Sequence, residues 1–203
     1  MRAVLATRST DKLREVREIL APLPGLELLG LDEVGIAASP LEDGIEAFDS
    51  FRENALAKAR FFAARTGLPT LADDSGLVVP ALGGAPGVFS KRFSGRDDLA
   101  GAQLDEANNR LLLERLRDVP PDRRDAFYVC AAAAAFPDGG VAVALGTTSG
   151  RIAAAPDGVG GFGYDPLFFV PALGVTLGRV APDVKHRLSH RGRAFRALAT
   201  RLG

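Results

Sequence analysis

The chain has 203 residues, 47 % hydrophobic and 25 % charged, the balance of a globular protein whose core needs no disulfide or metal staple. Lys plus Arg and Asp plus Glu both number 25, so the formal charge is zero, which argues against a DNA, RNA or membrane-surface binder built on a one-sign field. The single cysteine (Cys130), the lack of a leader-like start and the lack of an apolar run near the ~20 residues of a membrane span make a cytoplasmic protein the expectation.

Residues 2–6 read as a strand. Residues 11–20 follow as a helix with Leu13, Val16, Ile19 and Leu20 on one face, stopped by Pro22 and Pro24. Residues 26–29 suit a second strand, whereas 35–49, aperiodic and carrying Pro40 and Gly44, read as a loop. Ser50 and Glu53 form a capping box for a helix that turns Phe51, Ala55, Leu56, Ala59 and Phe62 inward and closes at Gly67 and Pro69. A short strand, 70–72, then ends on Asp73-Asp74-Ser75-Gly76, and a Gly/Pro loop covers 83–87. A long helix is expected over about 98–118 with Leu104, Ala107, Leu111 and Leu112 inward. Residues 126–136 and 141–146, joined by Pro137-Asp138-Gly139-Gly140, make a hairpin. A second glycine loop, 158–166, leads into an apolar strand at 167–170, and Ser189 caps a last helix striped by Ala194, Phe195, Leu198 and Leu202. Strands and helices mix without repeat or linker, so the class is α/β with a mixed sheet in one domain, 1–203.

Four segments carry more polar chemistry than such a fold requires. Thr7, Arg8, Ser9, Thr10, Asp11 and Lys12 lie where the first strand enters the first helix, so free N–H groups, hydroxyls and a cation converge as an anion site. The glycines of a Walker A loop are absent, and an ordinary capped helix start is the plainer alternative. Asp73 and Asp74 alternate faces if their strand continues, so one carboxylate is enough to hold Mg²⁺ or accept a proton from water; a solvated turn is the alternative. Glu42 and Asp43, in the acidic loop, are the acids that would complete a metal site, with a solvated loop as the plainer alternative.

The third segment, Gly158 to Pro166, matches G-x-G-x-x-G, yet a strand-like run follows it instead of a helix, so the dinucleotide reading fails. Phe162, Tyr164 and Asp165 on a glycine loop instead offer an aromatic face and a carboxylate to a base, with core aromatics as the alternative. The fourth, Lys185 to Arg191, belongs to a basic end with seven Lys/Arg against one Asp from Arg179 onward. His190 and Arg191 fall in the first turn of the last helix, where cations oppose the helix dipole and a phosphate or base edge would reward them. Arg193, Arg196 and Arg201 read as a solvated face, and His186 with His190 lacks the further ligands of a zinc site.

In this order and spacing the segments resemble the non-canonical purine nucleoside triphosphate pyrophosphatases, the XTP/dITP diphosphatases and inosine triphosphatase relatives. The resemblance spans nearly the whole chain. It is carried by Leu5-Ala6-Thr7 with Lys12, Glu53-Asn54-Ala55 with Lys58-Ala59, Ala72 to Leu77, Gly83 to Gly87, Gly160 to Pro166 and Ser189-His190-Arg191. It implies an elongated mixed sheet flanked by helices, two lobes with the active-site cleft between them, a homodimer, and Mg²⁺-dependent hydrolysis of ITP, dITP and XTP to monophosphate and pyrophosphate. Carried over by position, it makes Thr7 to Lys12 the phosphate cradle, and Asp74 the proton acceptor and metal ligand with Ser75 beside the substrate. Phe162, Gly163, Tyr164 and Asp165 would hold the base, Lys185, His190 and Arg191 would contact the nucleotide, and Glu42 would be a second metal ligand.

The implied roles agree with the chemistry. Lys12, Lys185, Arg191 and Mg²⁺ would offset the charge on a leaving pyrophosphate. Donors on His190 and Arg191 would suit a 6-oxo purine and leave adenine's amino group unmatched, at ~1–3 kcal/mol per unmade bond. Ser9 stands where relatives commonly carry Asn, and it lacks the carboxamide's reach. The segment 43–54 is also a few residues longer than in many relatives. The competing readings are a pyrophosphatase for other modified nucleotides (Maf-like), a nucleotide-binding module without catalysis, and a serine hydrolase using Ser75 and His190, for which the G-x-S-x-G elbow is missing.

Overall fold

The computed structural model describes residues 1–201, so Leu202, expected on the stripe of the last helix, lies outside the described residues. Seven strands form one mixed sheet in the order β2-β1-β3-β4-β5-β6-β7, flanked by helices, which is the α/β class expected from the sequence. β1 (Arg2–Leu5) pairs in parallel with both β2 (Glu27–Gly30) and β3 (Thr70–Val78). β4 (Asp125–Ala135) and β5 (Val141–Ile152) follow, and β5 pairs antiparallel with β6 (Phe168–Val170), which pairs antiparallel with β7 (Val175–Thr176). The chain divides into two compact units, one of residues 1–75, 130–147 and 189 onward, the other of 76–129 and 148–188.

In the first unit the sheet is buried on both faces, and strand alternation sorts its side chains. Leu5, Leu71, Cys130, Ala132 and Ala134 pack with Val16, Ile19 and Leu20 of α1 (Thr10–Leu20) and Phe195 and Leu198 of α5 (His190–Ala199). Val4, Ala6, Ala72, Ala131 and Ala133 pack with Ala55, Ala59, Phe62 and Ala63 of α2 (Phe51–Thr66). The alanine run of β4 is therefore apolar at every position because helices cover both sides of it. α5 sits so close to β5 that a Cβ at Gly146 would lie 2.1 Å from the His190 carbonyl oxygen, so only glycine fits there.

The second unit has its own core, in which Leu77, Val79, Tyr128, Ile152, Leu167 and Phe168 surround Leu112 and Leu116. α3 (Gly101–Arg115) is shorter than the expected 98–118. Gly101 has a φ of +54°, which lies outside the helical range, and the Arg124 guanidinium ties off the far end by donating to the carbonyls of Leu116 and Val119. The inward face of α3 also differs from expectation: Leu104, Ala107 and Leu111 are half-buried, while Leu112 and the polar Asn108 are buried. Asn108 can face inward because its amide accepts from Ser94 N (2.8 Å) and donates to Lys91 O (3.0 Å).

Two strands run further than expected. β3 continues through Asp73-Asp74-Ser75-Gly76 to Val78, and β5 continues past Gly146 to Ile152. The acids of β3 do not end the strand because partners from the flanking helices meet them. The loop 35–49 holds one 3₁₀ turn, Pro40–Glu42, closed by a capping box between Ser39 and Glu42. α4 (Pro182–Leu188), β7 and the 3₁₀ turns at 80–82 and 87–92 carry no clear periodicity in the sequence. A strand, β6, follows the glycine loop, as the rejection of the dinucleotide reading required.

Candidate active site

The turn between β1 and α1 is built as a helix start. Ser9 is the N-cap, its Oγ accepting from Lys12 N (3.3 Å), and Thr7 Oγ1 accepts from Ser9 N (3.1 Å). Thr10 opens α1, and the Lys12 ammonium reaches Asp73 Oδ2 at 3.2 Å. Two of the six predicted residues face acids or bases of their own surface. Asp11 accepts from Arg14 (2.7 Å), and Arg8 grips Glu42 with Nε (3.1 Å) and Nη2 (2.7 Å) while Nη1 donates to Asp32 (3.1 Å) and Ile36 O (2.9 Å). Arg8 thus ties the loop 32–42 to the β1–α1 turn, and its hydrogen bonds hold the Glu42 carboxyl below the usual range.

Strand alternation sends the two predicted carboxylates to opposite faces of β3. Asp73, 1 % exposed, lies on the face of α1 and α5. Its Oδ2 accepts from Lys12, from Nε and Nη2 of Arg191 (both 3.3 Å) and from Ser75 Oγ (3.1 Å). Arg191, 3 % exposed, also donates to Glu15 (2.6 Å) and to Ser75 Oγ (2.9 Å). Burial works against the charge on Asp73, but Lys12, Arg191 and Lys58 outweigh it and hold the carboxyl far below the usual range. The Cys130 thiol at 4.0 Å is pushed up by burial and then by Asp73, which leaves it an unreactive neighbour.

Asp74 lies on the face of α2. Its Oδ2 accepts from Asn54 Nδ2 (3.0 Å) and its Oδ1 from Ser75 N (2.9 Å). Burial raises its pKa, the Asn54 hydrogen bond opposes that, and the charge of Glu46 adds to the rise. Glu46 pairs with the Lys58 ammonium. Burial alone would lower that lysine, yet Glu46, Asp73 and Asp74 together keep it raised and charged. Asn54 fixes the approach to this site as well, since its Oδ1 accepts from Phe48 N and its Nδ2 donates to Phe48 O, both at 2.9 Å. Two adjacent carboxylates are thereby driven in opposite directions, one locked as an anion and one made more basic.

The Ser75 hydroxyl gives its proton to Asp73, an anion too weakly basic to activate it, so the geometry does not serve a serine nucleophile. His190 is buried in the first turn of α5, under the Ser189 cap. Glu46, Lys58, Asn54 and Glu15 were not given roles from the sequence. The Glu53-Asn54-Ala55 and Lys58-Ala59 marker already held two of them, and Glu15 is an acid one turn after Lys12 on α1. Glu42 is placed with Arg8, and the acid whose charge reaches Asp74 is Glu46. Among the described residues, no three His, Cys, Asp or Glu side chains gather as a ready-made metal cage.

The glycine loop belongs to the second unit. Asp165 is buried, and its Oδ2 accepts from Phe162 N (2.9 Å) and from Lys185 Nζ (2.7 Å). Lys185 is buried too, with its ammonium 4.7 Å from the centre of the Phe162 ring. Gly161 has to be glycine, because a Cβ there would lie 2.1 Å from Asp165 Oδ2. Tyr164 turns into the core with its hydroxyl donating to Ser90 O (2.8 Å), and burial pushes its pKa up. Phe162 therefore provides the aromatic face of this loop, with Asp165 and Lys185 fixing it from below, while Tyr164 serves as an anchor.

Comparison with known proteins gives the family and the fold. The profile of the Ham1 family matches residues 3–201. The chain is 48 % identical over 202 residues to a dITP/XTP pyrophosphatase of Frankia alni, covering 100 % of this chain and 97 % of that one. It is 48 % identical over 198 residues to a dITP/XTP pyrophosphatase of Thermus thermophilus, covering 98 % and 90 %. The solved structure of a HAM1 protein from Coxiella burnetii superposes with a TM-score of 0.84 at 37 % identity, over 100 % of this chain and 98 % of that one.

Proposed function

This chain belongs to the Ham1 family, and from that membership we propose that it hydrolyses dITP, ITP and XTP to the nucleoside monophosphate and pyrophosphate. The observation that carries the chemistry is the opposite treatment of Asp73 and Asp74. Water attacks the α-phosphorus, the bond to the oxygen bridging α and β breaks, and pyrophosphate leaves with that oxygen. Asp74, made more basic by burial and Glu46, takes the proton from the attacking water. Asp73 takes no proton; it holds Lys12 and Arg191 in place.

The phosphates are taken by the N-terminus of α1 with Thr7, Ser9, Thr10 and Lys12, helped by Lys58. The purine stacks on Phe162, and the Lys185–Asp165 pair fixes that ring's surroundings. His190 completes the nucleotide contacts from the start of α5, and Arg191 acts through Asp73 and Ser75. The single family match over both units supports treating the chain as one catalytic domain.

Asp74 and Glu46 are the groups that would hold a divalent cation. They are hard oxygen donors, few in number, and the Glu46 charge reaches Asp74. That donor set suits Mg²⁺, which takes one or two carboxylates and completes its shell with water and substrate phosphate. When bound, Mg²⁺ supplies charge neutralisation and polarises the phosphoryl group.

The test is release of pyrophosphate from ITP, dITP, XTP, GTP, ATP and dTTP with Mg²⁺, run in H₂¹⁸O. Fast turnover of the first three alone, with ¹⁸O in the monophosphate, is expected. Equal turnover of all six, preference for dTTP, or label in the pyrophosphate overturns the reading.

A further inference from the structure

The glycine loop is held by a device on α3 that no sequence motif marks. Asp105 Oδ2 accepts from Gly163 N (2.8 Å), and Asn109 Nδ2 donates to Gly163 O (2.9 Å). The two side chains are four residues apart, hence on one face of the helix, and they grip the peptide groups on either side of one glycine. Gly163 has a φ of +65° with open space where a Cβ would stand, so glycine is needed for backbone shape. Phe162 is thus fixed from both ends: its own N–H goes to Asp165, and the next N–H goes to Asp105. The other Asp105 oxygen takes the Lys91 ammonium at 3.1 Å, and Asn109 Oδ1 is buried without a hydrogen-bond partner among the described residues. The Asn109 amide therefore contributes one bond, the one to Gly163.

We infer that Asp105 and Asn109 are positioning residues for purine selectivity, holding Gly163 so that the Phe162 ring keeps the plane on which the base lies. The inference rests on the proposed role of the Phe162–Asp165 loop as the base wall. A loop free to rock would still stack a purine but would no longer present fixed partners to its edge, so discrimination falls before turnover does.

The test compares kcat and KM for ITP and ATP in Asp105→Asn, Asp105→Ala, Asn109→Ala and Asn109→Asp, with Phe162→Ala alongside and thermal unfolding of each to confirm folding. Asp105→Asn keeps an acceptor and is expected within about twofold of the parent. Asp105→Ala and Asn109→Ala are each expected to raise KM for ITP and to shrink the ITP-over-ATP preference about tenfold, the scale of one lost hydrogen bond. Asn109→Asp, though isosteric, is expected to be worse than Asn109→Ala, because it sets a carboxylate oxygen against the Gly163 carbonyl. Proportional losses on ITP and ATP, or an Asn109→Asp variant milder than Asn109→Ala, overturn the inference and leave α3 a packing element. A Phe162→Ala variant that keeps the full ITP preference overturns the base-wall reading itself. A shifted preference in Phe162→Ala with none in the α3 variants overturns only the inference.

Discussion

On β3 the side chain of Asp73 turns toward Lys12 and Arg191, and that of Asp74 turns toward Asn54 and the charge of Glu46. The sequence shows two equivalent aspartates; their difference arises from α1 and α5 on one face of β3 and from α2 with the Glu46 loop on the other. Asp73 should act mainly on stability. Its carboxyl sits far below the ordinary 3.8 in the folded state, so its contribution is fully present above that value and is lost as the pH falls toward the folded value. Asp73→Asn leaves the half-buried Lys12 and the buried Arg191 beside a neutral amide, and about 3–5 kcal/mol of stability is expected to go. Urea unfolding in chelator-containing buffer checks the sign: the gap between parent and variant should be widest near neutral pH and should narrow below about pH 4. An equal gap at pH 3 and pH 7 would place the stabilisation elsewhere.

At the scale of elements, much was legible. The stripes of α1 and α5, the Ser50 and Ser189 caps and the hairpin of β4 and β5 follow from periodicity and turn chemistry alone. The lengths of β3 and α3 did not, because each is decided by side chains outside the element itself: basic and amide side chains for the acids of β3, and Arg124 for the end of α3. Asn108 reads as polar surface until its amide is seen bonding the 90–94 segment. Glu42 and Glu46 are four residues apart in a loop with no period, so spacing could not say which acid lies near Asp74. The Arg8 fork answers for Glu42. Arg8→Ala is expected to free the loop 32–42, seen as faster amide exchange at Ile36 and Asp43, and to lower kcat/KM for ITP roughly tenfold through misplaced Glu46. Arg8→Lys should recover little, since an ammonium cannot reproduce the bidentate fork. Unchanged exchange in Arg8→Ala would show that the loop is held by other contacts.

At the scale of the whole molecule, the α/β class and the mixed sheet follow from the order of strand-like and helical segments, and the Ham1 family profile and the superposed relative agree with both. Less of the candidate site was visible, because residues recognised one by one have roles set by burial and by charge partners. Arg191 reads in sequence as a nucleotide contact and stands in the structure as the buried counter-charge of Asp73 and Glu15. Tyr164 reads as a base wall and stands as a core anchor. The division of labour between the two aspartates is the claim on which the mechanism depends. Pyrophosphate release from ITP by Asp74→Asn, with thermal unfolding recorded on the same preparation, tests it most directly. A folded protein is expected, since removal of a destabilised buried charge offsets the hydrogen bond that the new amide cannot accept, with turnover lower by ~10² or more. Retained turnover in Asp74→Asn would contradict it and would move the proton acceptor to another group.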